Sequence, residues 1–238
     1  MLLYKFVHRK TLARGYDELM DALLYRMAHI LERTLDLVLP RSGRRIRAEN
    51  MRPEDLIINP ATHTLLGSEV VTLGSYKDLR DPIQSLKYDR SAKSARLLAD
   101  ALAEYLREDI ASKKLFSTKR VLLIPIPLDA KRRRDRGYNQ IGLVIDALPD
   151  AFKNGELSRI AGPLLERTRA TRQQTKLVRS ARLSNVAGAF AVTDSNLIKD
   201  SYVYVIDDVA TTGATLVHAG APLRAAGAHV TLLALARA

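Results

Sequence analysis

Two short runs, Val121–Ile126 (VLLIPI) and Val203–Ile206 (VYVI), are apolar at every position. A strand with one face in water alternates apolar and polar residues, whereas a strand covered on both faces does not. The chain must therefore build a sheet with further layers above and below it. The segments around these runs supply those layers. Apolar residues recur at helical spacing over Leu79–Leu86, where Pro82 is tolerated near the start, and over Ala95–Ile110, with Leu98, Leu102, Tyr105 and Leu106 on one side. Gly137–Leu148 and Ala214–Ala226 suit helices, the second closed by Gly227. Glu69–Tyr76, Pro163–Glu166 and His229–Leu235 read as further strands. Strands alternating with helices of this length predict an α/β fold, an open parallel sheet joined by crossover helices. Ahead of it, Tyr16–Val38 reads as one long amphipathic helix ended by Pro40. Residues 41–66 lack periodicity and hold Gly43, Pro53, Asn59 and Pro60, which predicts a loop or small irregular insert. The expected division is an N-terminal extension with insert over 1–66 and an α/β domain over 67–238.

Composition removes several chemistries. There is no Cys, so disulfides, thiolate metal sites and Cys nucleophiles are excluded. The five histidines (His8, His29, His63, His218, His229) show no ligand spacing. No zinc is expected. Aromatic residues are 5% with no Trp, which argues against a base-stacking platform. The longest stretch without charge, Val209–Leu223, contains threonines, glycines, a histidine and a proline, and is too short and polar to span a bilayer. Charges in the first ten residues break any signal-peptide core. The expected location is the cytoplasm.

Charge is unevenly placed. Residues 119–182 hold 15 Lys and Arg against 6 Asp and Glu, so this quarter of the chain carries most of the net +12. Concentrated positive charge suggests an anionic partner, either a polyphosphorylated small molecule or a nucleic-acid backbone.

The most informative stretch is VYVIDDVATTGAT, residues 203–215. Here a buried strand meets two adjacent carboxylates, Asp207 and Asp208, and then a short turn rich in hydroxyls before a helix. In open α/β sheets ligands bind beyond the carboxyl ends of the strands. A helix start offers unpaired backbone N–H groups and the positive end of its dipole, which suits a phosphate. Gly213 would let the backbone approach closely, and Thr211, Thr212 and Thr215 could add hydrogen bonds. The carboxylates would face hydroxyl donors or a cation beside that phosphate, and a ribose 5-phosphate meets both demands. A capped helix with two solvated acids is the plainer alternative. Two charges beside so apolar a strand are costly unless used.

This stretch resembles the phosphoribosyl diphosphate (PRPP) motif of type I phosphoribosyltransferases. LDLVLP (35–40), YKDLRDPIQSLKYDR (76–90), IPIPLDAKRRRDRGYNQ (124–140) and RTRATRQQTKLVRSARLSNVAGAF (167–190) narrow the resemblance to the ComF family of competence-associated, phosphoribosyltransferase-like proteins. The likeness runs in order over about residues 30–238. It implies a type I phosphoribosyltransferase-like sheet in which Asp207 and Asp208 bind the ribose hydroxyls. The turn Ala210, Thr211, Thr212, Gly213, Ala214, Thr215 would wrap the 5′-phosphate. Mg²⁺ would arrive with PRPP near Asp207 and Asp208 rather than in a protein cage. By the same analogy Leu128, Asp129, Ala130 and Lys131 form the pyrophosphate loop, supported by Arg136, Gly137, Tyr138, Asn139 and Gln140. Gln174, Arg182 and Asn185 fall on patterned positions of a loop that would close over PRPP, which makes Gln174 and Arg182 the catalytic candidates. Lys87 and Tyr88 match a family KY pair, although a snorkelling Lys beside a core Tyr is the plainer reading. One departure is large: the family's four-cysteine zinc element is replaced here by the Cys-free segment Arg41–Thr64.

The resemblance implies displacement of pyrophosphate from C1′ by a nitrogen nucleophile of an unidentified acceptor. Two alternatives belong to other classes: a PRPP sensor without turnover, and a single-stranded-DNA-handling protein that works with competence proteins. Relatives of this fold are commonly dimers, so a homodimer is among the expectations.

Overall fold

A computed structural model describes residues 43–128, 134, 136–168 and 188–238 of the chain. The helix expected over Tyr16–Val38 lies outside them. From Arg44 to Ala238 the chain forms one compact unit. Its elements in chain order are α1 (Gly43–Asn50), β1 (Ala61–Leu65), β2 (Ser68–Ser75), α2 (Tyr76–Asp89), α3 (Ala92–Lys114), β3 (Val121–Pro125), α4 (Gln140–Asp146), β4 (Arg159–Ile160), β5 (Leu165–Arg167), β6 (Phe190–Val192), α5 (Ser195–Ile198), β7 (Tyr202–Ala210), α6 (Ala214–Ala225) and β8 (His229–Arg237).

Six strands form the main sheet in the order β1-β2-β8-β7-β3-β4. Every pairing is parallel except β1 with β2 at the edge. The expected α/β architecture is therefore present, with one antiparallel strand added. The two all-apolar runs occupy its interior as β3 and β7. Tyr204 and Ile206 of β7 pack on one side with Leu79, Ile83, Leu98, Leu102, Leu106, Ile141 and Val144 from α2, α3 and α4. Val203 and Val205 pack on the other with Leu216, Ala219 and Leu223 of α6. Both faces of the strand are dry, which is why its sequence shows no alternation. Tyr204 keeps its polar end satisfied in this setting by donating to Asp109 Oδ2 on α3 at 2.5 Å. Burial and that carboxylate push its ionisation well above the ordinary tyrosine range. Neighbouring Tyr105 is pushed up to about 12, mainly by burial.

Three expectations need correction. Residues 41–66, expected as an irregular insert, contain α1 and β1. The second forms a hairpin with β2 through Leu66 (φ 51°) and Gly67 (φ 72°), a two-residue turn whose positive φ angles match the twist of its strands. Pro163–Glu166, expected as a strand, begins as a 3-10 turn, Gly162–Leu164. Only Leu165–Arg167 is extended, and it pairs antiparallel with β6 in a separate two-stranded sheet. Finally, the central strand does not stop at Ile206. The parallel ladder with β8 continues through Asp207↔Ala234, Val209↔Ala236 and Ala210↔Arg237, so both acids lie within β7.

Candidate functional site

The carboxyl end of β7 lies between β8 and β3, with α2 and α4 on one face of the sheet and α6 starting four residues beyond the strand. Asp208 is 8% exposed. A carboxylate so buried must be paired, and two cognate groups reach it. Lys87 Nζ of α2 lies 2.8 Å from Oδ2, and Gln140 Nε2, at the first position of α4, donates to the same oxygen at 2.8 Å. Gln140 is itself held, since its Oε1 accepts from Arg136 Nη1 at 3.2 Å.

Local capping sets these positions. Asn139 precedes α4, and its Oδ1 accepts from the N–H groups of Ile141 and Gly142 at 3.0 and 3.3 Å. Its Nδ2 donates to the carbonyl of Ile126 at 2.9 Å, which ties the start of α4 to the end of β3. Gly137 takes a left-handed φ of 72° in the approach to that cap. Tyr138 Oη reaches the carbonyls of Leu86 and Lys87, at 2.9 and 3.0 Å, and so fixes the last turn of α2 that carries Lys87. Burial raises the Tyr138 hydroxyl above its ordinary ionisation, opposed in part by the Arg136 and Arg90 cations. Arg90 lies over its ring at 5.4 Å.

The KY pair inverts the plainer reading of it. Lys87 does not snorkel to solvent but pairs with a buried acid, and Tyr88 is no core residue, being 64% exposed with Arg136 over its ring at 5.8 Å.

Asp207 is half-buried, and its Oδ1 accepts from the Asp208 N–H at 2.8 Å. After Ala210 the chain turns through Thr211, exposed, and Thr212, half-exposed, to Gly213, the cap of α6 at φ 78°. That glycine is required twice over. Its φ is left-handed, and a Cβ there would lie 2.7 Å from Cβ of Leu65 at the end of β1. Ala210 and Ala214 are buried, while Thr215 is half-exposed on the first turn of α6. The opening N–H groups of α6 have no carbonyl within the helix to meet.

The structure thus brings together Lys87, Arg136, Tyr138, Asn139, Gln140 and Asp208, with Asp207 and the Thr211–Thr215 turn beside them on β7 and α6. Leu128 is buried just past β3. Asp129, Ala130, Lys131, Gln174, Arg182 and Asn185 lie outside the described residues. Two contributors were not read from the sequence. Leu65 underlies Gly213, and Arg237 at the end of β8 places Nη1 at 2.8 and 2.5 Å from the carbonyl oxygens of Ala210 and Thr211. Neither carries a sequence signal, because each acts through a contact between strands far apart in the chain.

Comparison with known proteins gives the family. Over 173 residues, 71% of this chain and 73% of the relative, the chain is 31% identical to Competence protein F of Haemophilus influenzae. The chain belongs to the ComF family. A second member, Competence protein ComFC of Bacillus subtilis, is 31% identical over 103 residues, 43% of the chain and 38% of that protein's length. No family model matches the chain.

Among the described residues of this ComF-family chain, no three His, Cys, Asp or Glu side chains converge on a point where a metal could sit. Among the same residues, no helix is long and apolar enough to cross a membrane.

Proposed function

We propose that this ComF-family chain binds PRPP with Mg²⁺ at the carboxyl end of β7 and transfers its phosphoribosyl group to a nitrogen nucleophile, in the competence-associated role that its relatives' names carry. The observation that supports this most is Asp208, a buried acid paired with Lys87 and oriented by Gln140, directly beside Asp207 and the left-handed cap of α6. Lys87 and Gln140 both engage Oδ2 of Asp208, and in this reading Oδ1 is the atom that would meet a ligand hydroxyl. Lys87 also offsets one of two adjacent negative charges, which lowers the repulsion a polyanionic ligand would meet.

In the reaction the nitrogen lone pair attacks C1′ and the C1′–O bond breaks. Pyrophosphate leaves with the bonding electrons, and the surplus proton of the nucleophile passes to solvent. Mg²⁺ held on the diphosphate supplies charge neutralisation for the leaving group. The chain's own part is to hold the ribose hydroxyls at Asp207 and Asp208, to seat the 5′-phosphate at the start of α6, and to carry the basic segment that follows β3.

The test is thermal stability with and without PRPP and Mg²⁺. Binding to the folded state should raise the melting temperature in proportion to RT ln(1 + [L]/Kd). Asp207→Asn with Asp208→Asn should remove that shift while the protein still melts cooperatively. A double variant that binds PRPP as tightly as the parent would show the site to be elsewhere.

A further inference from the structure

We propose that Arg237 is a positioning residue for the anion-binding turn: it fixes which way the peptide groups of residues 210–212 point. The proposal rests on the phosphate reading of that turn given above. Arg237 is the last residue of β8 and pairs in register with Ala210, the last residue of β7. Its Nη1 lies 2.8 Å from the Ala210 carbonyl oxygen, 2.5 Å from that of Thr211 and 2.5 Å from that of Ala238. The Ala210 oxygen also accepts from the Ala238 N–H at 3.1 Å.

In a trans peptide the C=O and the following N–H point in opposite directions, and the described chain has no cis bond. Holding the Ala210 and Thr211 carbonyls on the Arg237 side therefore turns the Thr211 and Thr212 N–H groups to the other side of the chain. A cation on a carbonyl also polarises its peptide, which makes the attached N–H a stronger donor. The guanidinium then acts twice on the same two peptides, by orientation and by polarisation, without touching the ligand. The two N–H groups of Nη1 are shared among the three carbonyl oxygens, and the delocalised guanidinium holds its positive charge beside them. Leu65 under Gly213 supports the turn at a second point.

The experiment is calorimetric titration of the full chain with ribose 5-phosphate and with PRPP–Mg²⁺, joined to ³¹P NMR of bound PRPP. Arg237→Gln should weaken both ligands about tenfold, the scale of one lost charge-assisted hydrogen bond. The bound shift of the 5′-phosphate resonance should shrink while the diphosphate resonances keep theirs. A purely structural role would instead lower the melting temperature and leave the 5′-phosphate resonance of the bound fraction unchanged. Arg237→Lys should recover part of the loss and bind about threefold weaker than the parent. If Arg237→Gln does not fold, the lysine variant carries the same test. Affinity within about twofold of the parent, with unaltered 5′-phosphate resonance, overturns the role of Arg237 and leaves the phosphate site standing. A parent protein that binds neither ligand overturns the phosphate reading and this role with it.

Discussion

Replacing Lys87 by Met keeps most of the side-chain stem and deletes its charge. In the parent the Lys87 and Asp208 side chains are 18% and 11% exposed and 2.8 Å apart, so the pair is screened far less than a surface ion pair. Removing one partner of a buried pair typically costs 3–5 kcal/mol, because the other charge is left uncompensated. Asp208 would retain the Gln140 donor on the same oxygen, which places the expected loss lower, at about 2 kcal/mol. Asp208→Asn should be costly as well, since it strands the Lys87 ammonium. In the double variant neither charge remains to be stranded, so its loss should fall short of the sum of the singles by about 1–2 kcal/mol. The assay is urea denaturation of all four proteins at neutral pH, read by circular dichroism. Equal m-values would confirm that stability rather than denatured-state compactness has changed. Strict additivity would refute the argument, since it would mean that the two charges do not compensate one another.

Two further outcomes are expected. Arg47 holds the Asp81 carboxyl below the ordinary aspartate range, chiefly through the guanidinium hydrogen bond at 2.6 Å. A depressed acid stabilises the fold above its unfolded pKa and loses that contribution as pH falls through its folded value. The melting-temperature gap between the parent and Asp81→Asn should accordingly be present at pH 7 and close below about pH 4; a gap independent of pH would refute it. If the basic segment also contacts single-stranded DNA, replacing Arg132, Arg133 and Arg134 with Ala should weaken oligonucleotide binding and flatten its salt slope, yet leave PRPP affinity within about threefold. Equal loss of both ligands in paired titrations at two salt concentrations would mean that one anion site serves both.

What could be read from the sequence was whatever leaves a local trace. Full apolarity of VLLIPI and VYVI marks strands covered on both faces, and β3 and β7 are those strands. Gly227 marks the end of α6 because the left-handed conformation it adopts, φ 86°, is one few other residues take. The β1 strand left a weaker trace. Its five residues, ATHTL, have no buried position, so the usual apolar signal of a strand is missing. Only the turn at Leu66–Gly67 and the β-branched threonines hint at it. The continuation of β7 through two aspartates was hidden for a related reason. Acids are disfavoured in strands, and only the parallel ladder to β8, formed by residues some 27 positions away, holds Asp207 and Asp208 extended.

The site itself follows from the order of the strands. With β7 between β8 and β3, its carboxyl end is flanked by whatever ends those neighbours. After β3 comes the capped start of α4, which presents Gln140; from β8 comes Arg237. Helix α2 leads away from β2, the other neighbour of β8, and its last turn brings Lys87 to Asp208. Each of these groups is remote from VYVIDDVATTGAT in the chain, yet each meets it through one step of sheet or helix packing. The motif alone specifies two acids and a turn that can hold an anion. The topology decides that one acid is buried and paired, that its oxygen facing Lys87 and Gln140 is already engaged, and that the turn is held from beneath by Leu65 and Arg237. A ligand at this site would meet donors and acceptors whose directions the surrounding fold has already set, so little ordering would remain to be done on binding.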